Sequence, residues 1–335
     1  ADLTAVFFTD ANTGTAVGVS GTMLRTINGG ATWITQSSGT TYDLYGVSFS
    51  DANTGTAVGS LGGAILHTTN GGTTWTNQSS GTTAALYGVA FTDANTGTVV
   101  GRSGTILRTT NGGAVWTSQT SGATNNLAGV SFTDANTGTA VGLAGTILHT
   151  TNGGATWIGQ TNGTTNALRG VSFSDANTGT AVGNLGTILR TTNGGGTWIS
   201  QLSGTTNVLY GVSFTDANTG TAVGDFGTIL RTTNGGAFWS TQSSGTTNLL
   251  LGVAYINADT GTVVGGFGMI LHTTNAGATW TSQPSGTTNF FSGVSFTDAN
   301  IGTVVGQGGT ILRTTNGGGT WISQLSGTTN VLYGV

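Results

Sequence analysis

The sequence predicts an all-β fold of eight repeated units, each a four-stranded antiparallel sheet, on three observations. The first is composition: of 335 residues, 61 are glycine and 71 threonine, while Glu and Lys are absent. Both abundant types disfavour helix interiors, and the straight-chain residues that helical proteins use in bulk are scarce. The second is a period: tryptophan recurs at 33, 75, 116, 157, 198, 239, 280 and 321, spaced by 42 once and by 41 six times. The third is turn chemistry, because clusters of Asp, Asn and Gly cut each period into four short runs rich in β-branched and apolar residues. A hydrophobic content of 36 % argues against disorder, and a single proline excludes collagen.

Each element of the unit has a local reason. The consensus is L-x-G-V-S-F-T-D-A-N-T-G-T-A-V-G-x-x-G-T-I-L-R-T-T-N-G-G-A-T-W-x-x-Q-x-S-G-T-T-N. In the third unit the predicted strands are Leu86–Phe91, Thr98–Gly101, Gly104–Thr110 and Ala114–Gln119. Between the first two, Asp93-Ala94-Asn95-Thr96-Gly97 offers side chains that cap the backbone and a glycine free to take positive φ. Gly101-Arg102-Ser103-Gly104 then makes a two-residue hairpin tip, and Asn111-Gly112-Gly113 the third turn. Four strands in about 41 residues match one propeller blade. The chain therefore reads as one repeat domain over 1–335, an eight-bladed propeller, with an open superhelical array of the same blades as the alternative. Residues 325–335 begin a ninth copy of the first strand. Gly186–Val212 recurs letter for letter as Gly309–Val335, so a function tied to one unit is expected in several.

The segment around each Trp, for example Thr109-Thr110-Asn111-Gly112-Gly113-Ala114-Val115-Trp116, resembles the Asp-box, or BNR repeat, with Asn in the Asp position. The eight pairs are Asn28 and Trp33, Asn70 and Trp75, Asn111 and Trp116, Asn152 and Trp157, Asn193 and Trp198, Asn234 and Trp239, Asn275 and Trp280, and Asn316 and Trp321. The whole unit is similar to the Asp-box propellers related to the photosystem II assembly factor, relatives of which occur as surface or secreted repeat proteins of bacteria. The resemblance implies a propeller in which the box is a folding motif. It carries no activity of its own.

Chemistry is excluded residue by residue. The family includes sialidases, which need a Tyr activated by Glu and a convergent arginine triad. Glu is absent, and Arg25, Arg108, Arg190, Arg231 and Arg313 share one repeat position that symmetry spreads around a ring. His67, His149 and His272 occupy that same position, blades apart, and cannot share a metal. Each of these cations stands three residues before a box Asn, which predicts a pairing with a turn aspartate such as Asp93 or Asp134. The Asp-Ala-Asn-Thr-Gly run has one carboxylate per copy, too few for a calcium loop, and reads as a plain turn. In the seventh unit Asn257 and Asp259 are exchanged. No metal or cofactor is expected. A net charge of −4 without a basic cluster argues against nucleic acid, and no run of about 18 apolar residues could span a membrane.

Strand alternation sorts the loops onto two faces. The Asp-Ala-Asn-Thr-Gly and box turns share one, nearly invariant between units; the Gly-x-x-Gly tips share the other, where units differ. Leu61, Arg102, Leu143, Leu185, Asp225, Phe226, Phe267 and Gln307 on those tips form the candidate contact face. Asn77-Gln78-Ser79 and Asn162-Gly163-Thr164 fit the N-glycosylation pattern at Asn77 and Asn162. With 5 % charged residues the surface is unusually bare. The expected function is that of a non-enzymatic extracellular or bacterial cell-surface structural or interaction protein, the repeating subunit of a fibre or surface assembly, that binds copies of itself or a surface protein. The alternatives are a multivalent glycan-binding lectin and a protein-binding propeller like the assembly factor.

Overall fold

A computed structural model describes residues 3–10, 12–60, 62–296 and 298–324. It forms eight four-stranded antiparallel sheets, each a simple meander, arranged as the blades of a ring. In blade 3 the strands are Leu86–Phe91 innermost, then Gly97–Gly101, Ile106–Thr109 and Thr117–Gln119 at the outer edge. The two outer strands are shorter than the sequence predicts. Gly104 belongs to a one-turn 3₁₀ tip, and Ala114–Trp116 belong to the box turn.

The second strand of each blade, Gly-Thr-Ala/Val-Val-Gly, is buried along its whole length because neighbouring blades cover both of its faces. Apolar clusters consequently form across blade junctions rather than within blades. Val58 and Ile65 of blade 2 pack on Leu86, Val99, Leu107 and Trp116 of blade 3. The same cluster joins the ends of the chain: Val305 and Ile311 of blade 8 pack on Val6, Ala16, Leu24 and Trp33 of blade 1. Arg313 Nη1 also donates to the Asn28 carbonyl across that junction. The ring is closed, which sets aside the open array. The ninth-strand segment 325–335 lies outside the described residues.

One glycine has a reason that turn chemistry does not supply. Gly97 was expected to take positive φ, yet it opens a strand and is absent from the left-handed positions. A Cβ there would stand 2.6 Å from the Phe91 ring, and Gly14, Gly55, Gly138, Gly179, Gly220 and Gly302 face the same clash with their own Phe. That Phe in turn meets the box Trp edge-to-face. Across all eight blades the ring centroids are 5.9–6.4 Å apart at 72–89°, with Tyr255 replacing Phe in blade 7. Such pairs contribute about 0.5–1.5 kcal/mol beyond their burial.

Candidate functional site on the tip face

The ring has a locked face and a variable one. On the locked face the box Asn accepts, through Oδ1, the backbone N–H four residues on, at 2.9–3.0 Å in every blade. The Thr two residues before it accepts the second glycine's N–H at 2.8–3.0 Å. The box turn is tied to the first turn by bonds such as Gly112 N–H to Asn95 O at 2.8 Å. In that first turn Asp93 Oδ1 accepts from Asn95 and Thr96, and these backbone donors hold its carboxyl below the usual carboxylate range. Its oxygen is thus already committed to the turn.

The predicted pairing of Arg with a turn Asp is corrected by this geometry. The guanidinium reaches across the junction to the alanine carbonyl in the next blade's turn: Arg25 Nη2 to Ala52 at 3.2 Å, Arg231 Nη2 to Ala258 at 2.7 Å, and Arg190 to Ala217. Arg190 and Arg231 also lie 4.7 and 4.8 Å over the rings of Phe214 and Tyr255. A carbonyl is within reach of Nη2, whereas the Asp oxygens already cap their own turn. At two of the three positions where His replaces Arg, its Nδ1 meets a Thr hydroxyl of the adjacent strand, at 3.1 Å in Thr56–His67 and 3.3 Å in Thr262–His272, whereas His149 Nδ1 makes no such bond to Thr139. Burial depresses the pKa of all three histidines. The Asn257–Asp259 exchange needs no ion pair either, since Asn257 Oδ1 accepts from Asp259 and Thr260 at 2.9 and 2.8 Å as the aspartates do elsewhere.

The tip face is different. At each 3₁₀ tip the residue before the last glycine sits in the left-handed region: Ser20, Ser103, Ala144, Leu185, Phe226 and Phe267 have φ of 52–56°. Bulky side chains rarely adopt this conformation. Leu185, Phe226 and Phe267 occupy it on three consecutive blades while 64–72 % exposed. Leu143 and Arg102 are also exposed, Asp225 and Gln307 half-buried, and Leu61 lies outside the described residues. Of the two sequon asparagines, Asn77 is exposed on an outer strand, whereas Asn162 is buried and donates its amide to Gly145 O at 2.6 Å. That bond commits the nitrogen a glycan would need.

The structure adds residues that the sequence reading passed over. A β-bulge follows the first residue of every inner strand, and bulges re-aim side chains. The bulged position holds Thr4, Tyr45, Tyr87, Ala128, Arg169, Tyr210, Leu251 and Ser292, at the end of the innermost strand beside the tips. Tyr45 and Tyr87 of adjacent blades meet with centroids 5.7 Å apart. Arg169 Nε donates to Asn184 Oδ1 of its own tip at 3.0 Å, and Asp43 Oδ1 accepts from Ser20 of the neighbouring tip at 2.9 Å. Burial, followed by the charge of Asp225, raises the Tyr210 hydroxyl, with Arg169 opposing. Among the described residues, every charge outside the repeated Arg/His and first-turn positions (Asp43, Arg102, Arg169 and Asp225) is on this rim. The signal was present in the sequence as the variable x in an otherwise constant L-x-G-V.

The sequence matches the family described as photosynthesis system II assembly factor YCF48 over residues 1–82, 77–162 and 199–289. The chain belongs to this YCF48 family. Among solved structures it is similar to one described as YCF48 bound to D1 peptide, with a TM-score of 0.65 and 21 % identity over 82 % of this chain and 92 % of that one. It is similar to YCF48 from Cyanidioschyzon merolae with a TM-score of 0.63 and 21 % identity, covering 82 % and 95 %. The computationally designed Ika8 protein superposes at 0.75 with 16 % identity, covering 99 % and 96 %. These likenesses show the fold. No curated protein matches the chain by sequence. YCF48 membership corrects the expectation of an extracellular or bacterial-surface protein, because the family is one of photosystem II assembly factors, associated with the thylakoid lumen and chloroplast. The fibre-subunit reading loses its setting with it.

Proposed function

We propose that the chain is a non-catalytic, protein-binding propeller of the assembly-factor kind, and that it presents its tip face to a polypeptide partner. One observation carries this: the non-repeated charges and the exposed apolar tips share one face, while the other is occupied by its own hydrogen bonds. A family propeller solved with a D1 peptide supports the partner class. Absence of Glu and dispersal of the repeated arginines support a role without catalysis. The test is fluorescence anisotropy with a labelled D1 peptide. Replacing Arg102 and Arg169 together by Ala should weaken binding at least about tenfold, the equivalent of 1.4 kcal/mol. Phe238→Ser, on the locked face and exposed, should leave it unchanged. Absence of binding by the unaltered chain, or equal loss in both variants, would sink the reading.

A further inference from the structure

We infer that the groove on the tip side of blade 6 is a binding site for a neutral saccharide, with Phe226 as its stacking platform. The groove is open to solvent, measures about 800 Å³ and is lined by uncharged residues, among them Thr205, Asn207, Phe226, Gln242, Ser243 and Thr247. Its size falls in the range of about 300–1,000 Å³ usual for small-ligand sites. Hydroxyl and amide groups dominate the wall, so a purely apolar ligand would leave polar groups dry, which is costly. No Arg or His lines it, so a phosphate or carboxylate would lack a counter-charge. The outer strand beside it, Ser240–Gln242, has three residues and offers little edge for an extended peptide.

What remains is a ligand that is uncharged, rich in hydroxyls and apolar on one ring face. A pyranose has those properties. Its C–H face would lie on the Phe226 ring, which is 72 % exposed and held at φ 55° by its tip. The molecule contains its own controls. Blade 2 has the same groove, about 780 Å³ between Gly62–Gly63 and Asn77–Thr83, without an aromatic side chain. Blade 7 has Phe267 at the tip, but that ring packs on Phe290 at 5.2 Å. Among the described blades, only blade 6 combines the groove with an unengaged aromatic face.

The experiment is an array of neutral oligosaccharides followed by calorimetric titration of whatever binds. The expected result is one site per chain, weakened at least tenfold by Phe226→Asn and retained in Phe226→Trp and Phe267→Asn. Asn accepts the left-handed conformation, so an unchanged melting temperature in Phe226→Asn separates a lost platform from a lost fold. Silence across the array at millimolar sugar, or binding that survives Phe226→Asn, would overturn the inference. So would occupation of the groove by the D1 peptide in place of sugar, read by protection of Phe226 resonances.

Discussion

The two faces of the ring are made by the same strands, and they use their loops in opposite ways. On the locked face the turn and box side chains bond the backbone of their own blade or the next, as when Asn193 accepts from Thr197 and Arg231 donates to Ala258. On the tip face Leu185, Phe226 and Phe267 stand out into solvent, in a conformation that disfavours bulky residues. Repetition therefore has two consequences. Where the unit must close a hairpin and bridge a junction, eight copies stay alike; where closure needs only glycine, each copy is free to differ. At the tips Gly104 has φ +71° and a Cβ would collide with the Ala123 carbonyl, so the glycine is fixed and the residues before it carry the variation.

The largest break in this contrast should come from Trp198→Ala. The indole is 5 % exposed, meets Phe173 edge-to-face at 6.1 Å and belongs to the junction cluster with Val141 and Ile147. Large-to-small changes of this kind cost about 3–5 kcal/mol. Phe226→Asn, on the other face, should stay within about 0.5 kcal/mol, as exposed substitutions do. Denaturant unfolding monitored by the remaining tryptophans checks both. Comparable losses would mean that the tips are structural and the division of labour false.

The period and turn residues made the fold and the two faces legible, because a 41-residue repeat with three turn clusters admits few other arrangements. The junction geometry was not legible. The sequence pairs each repeated Arg with a turn aspartate, yet in blade 6 Asp216 is spent on Asn218 and Thr219 and the Arg231 guanidinium finds a carbonyl one blade away. Gly97 reads as a turn glycine in sequence, yet it opens a strand and must be glycine because the Phe91 ring fills the space a Cβ would take. Both facts depend on which side chains meet across a junction, which the pattern of one unit does not encode. The rim of Tyr45, Tyr87, Arg169 and Tyr210 escaped notice for a related reason. A bulge, invisible in the alternation, turns that position toward the tips.

A smaller effect should sharpen the junction side of the comparison. Every unit has a Gln at or just after the end of its outer strand, and in two junctions it accepts the next blade's indole N–H: Gln36 from Trp75 at 3.3 Å and Gln201 from Trp239 at 3.1 Å. Elsewhere the indole N–H is buried without a protein partner, as at Trp198, whose potential acceptor Gln160 bonds instead to Ile158 O. Gln201→Leu should therefore cost about 1–3 kcal/mol, the penalty for orphaning a buried donor. Gln160→Leu should cost less, since no such bond is lost. Paired thermal melts decide; equal costs would show that all eight glutamines act alike in solution.

The smallest effect is in acid, and it separates two stages on the locked face. His67, His149 and His272 have folded pKa values depressed from 6.5 by burial, so the unfolded chain takes up their protons first. Their contribution is complete above about pH 6.5 and is lost as pH falls below it through the folded values. The first-turn aspartates are depressed from 3.8 by backbone hydrogen bonds, so their contribution is complete above that value and goes as pH falls through their lower folded ones. Each carboxylate is in water, where screening leaves little per turn, but the turn recurs. Melting temperature between pH 8 and 2.5 should fall in two steps. Changing His67 and His149 to Arg, the residue other blades use, should blunt the first step. Changing Asp51, Asp93 and Asp134 to Asn should blunt the second, because Asn257 already makes the same two bonds without a titrating group. A single step at low pH, unaffected by the histidine changes, would show that burial at those three positions is relieved in solution.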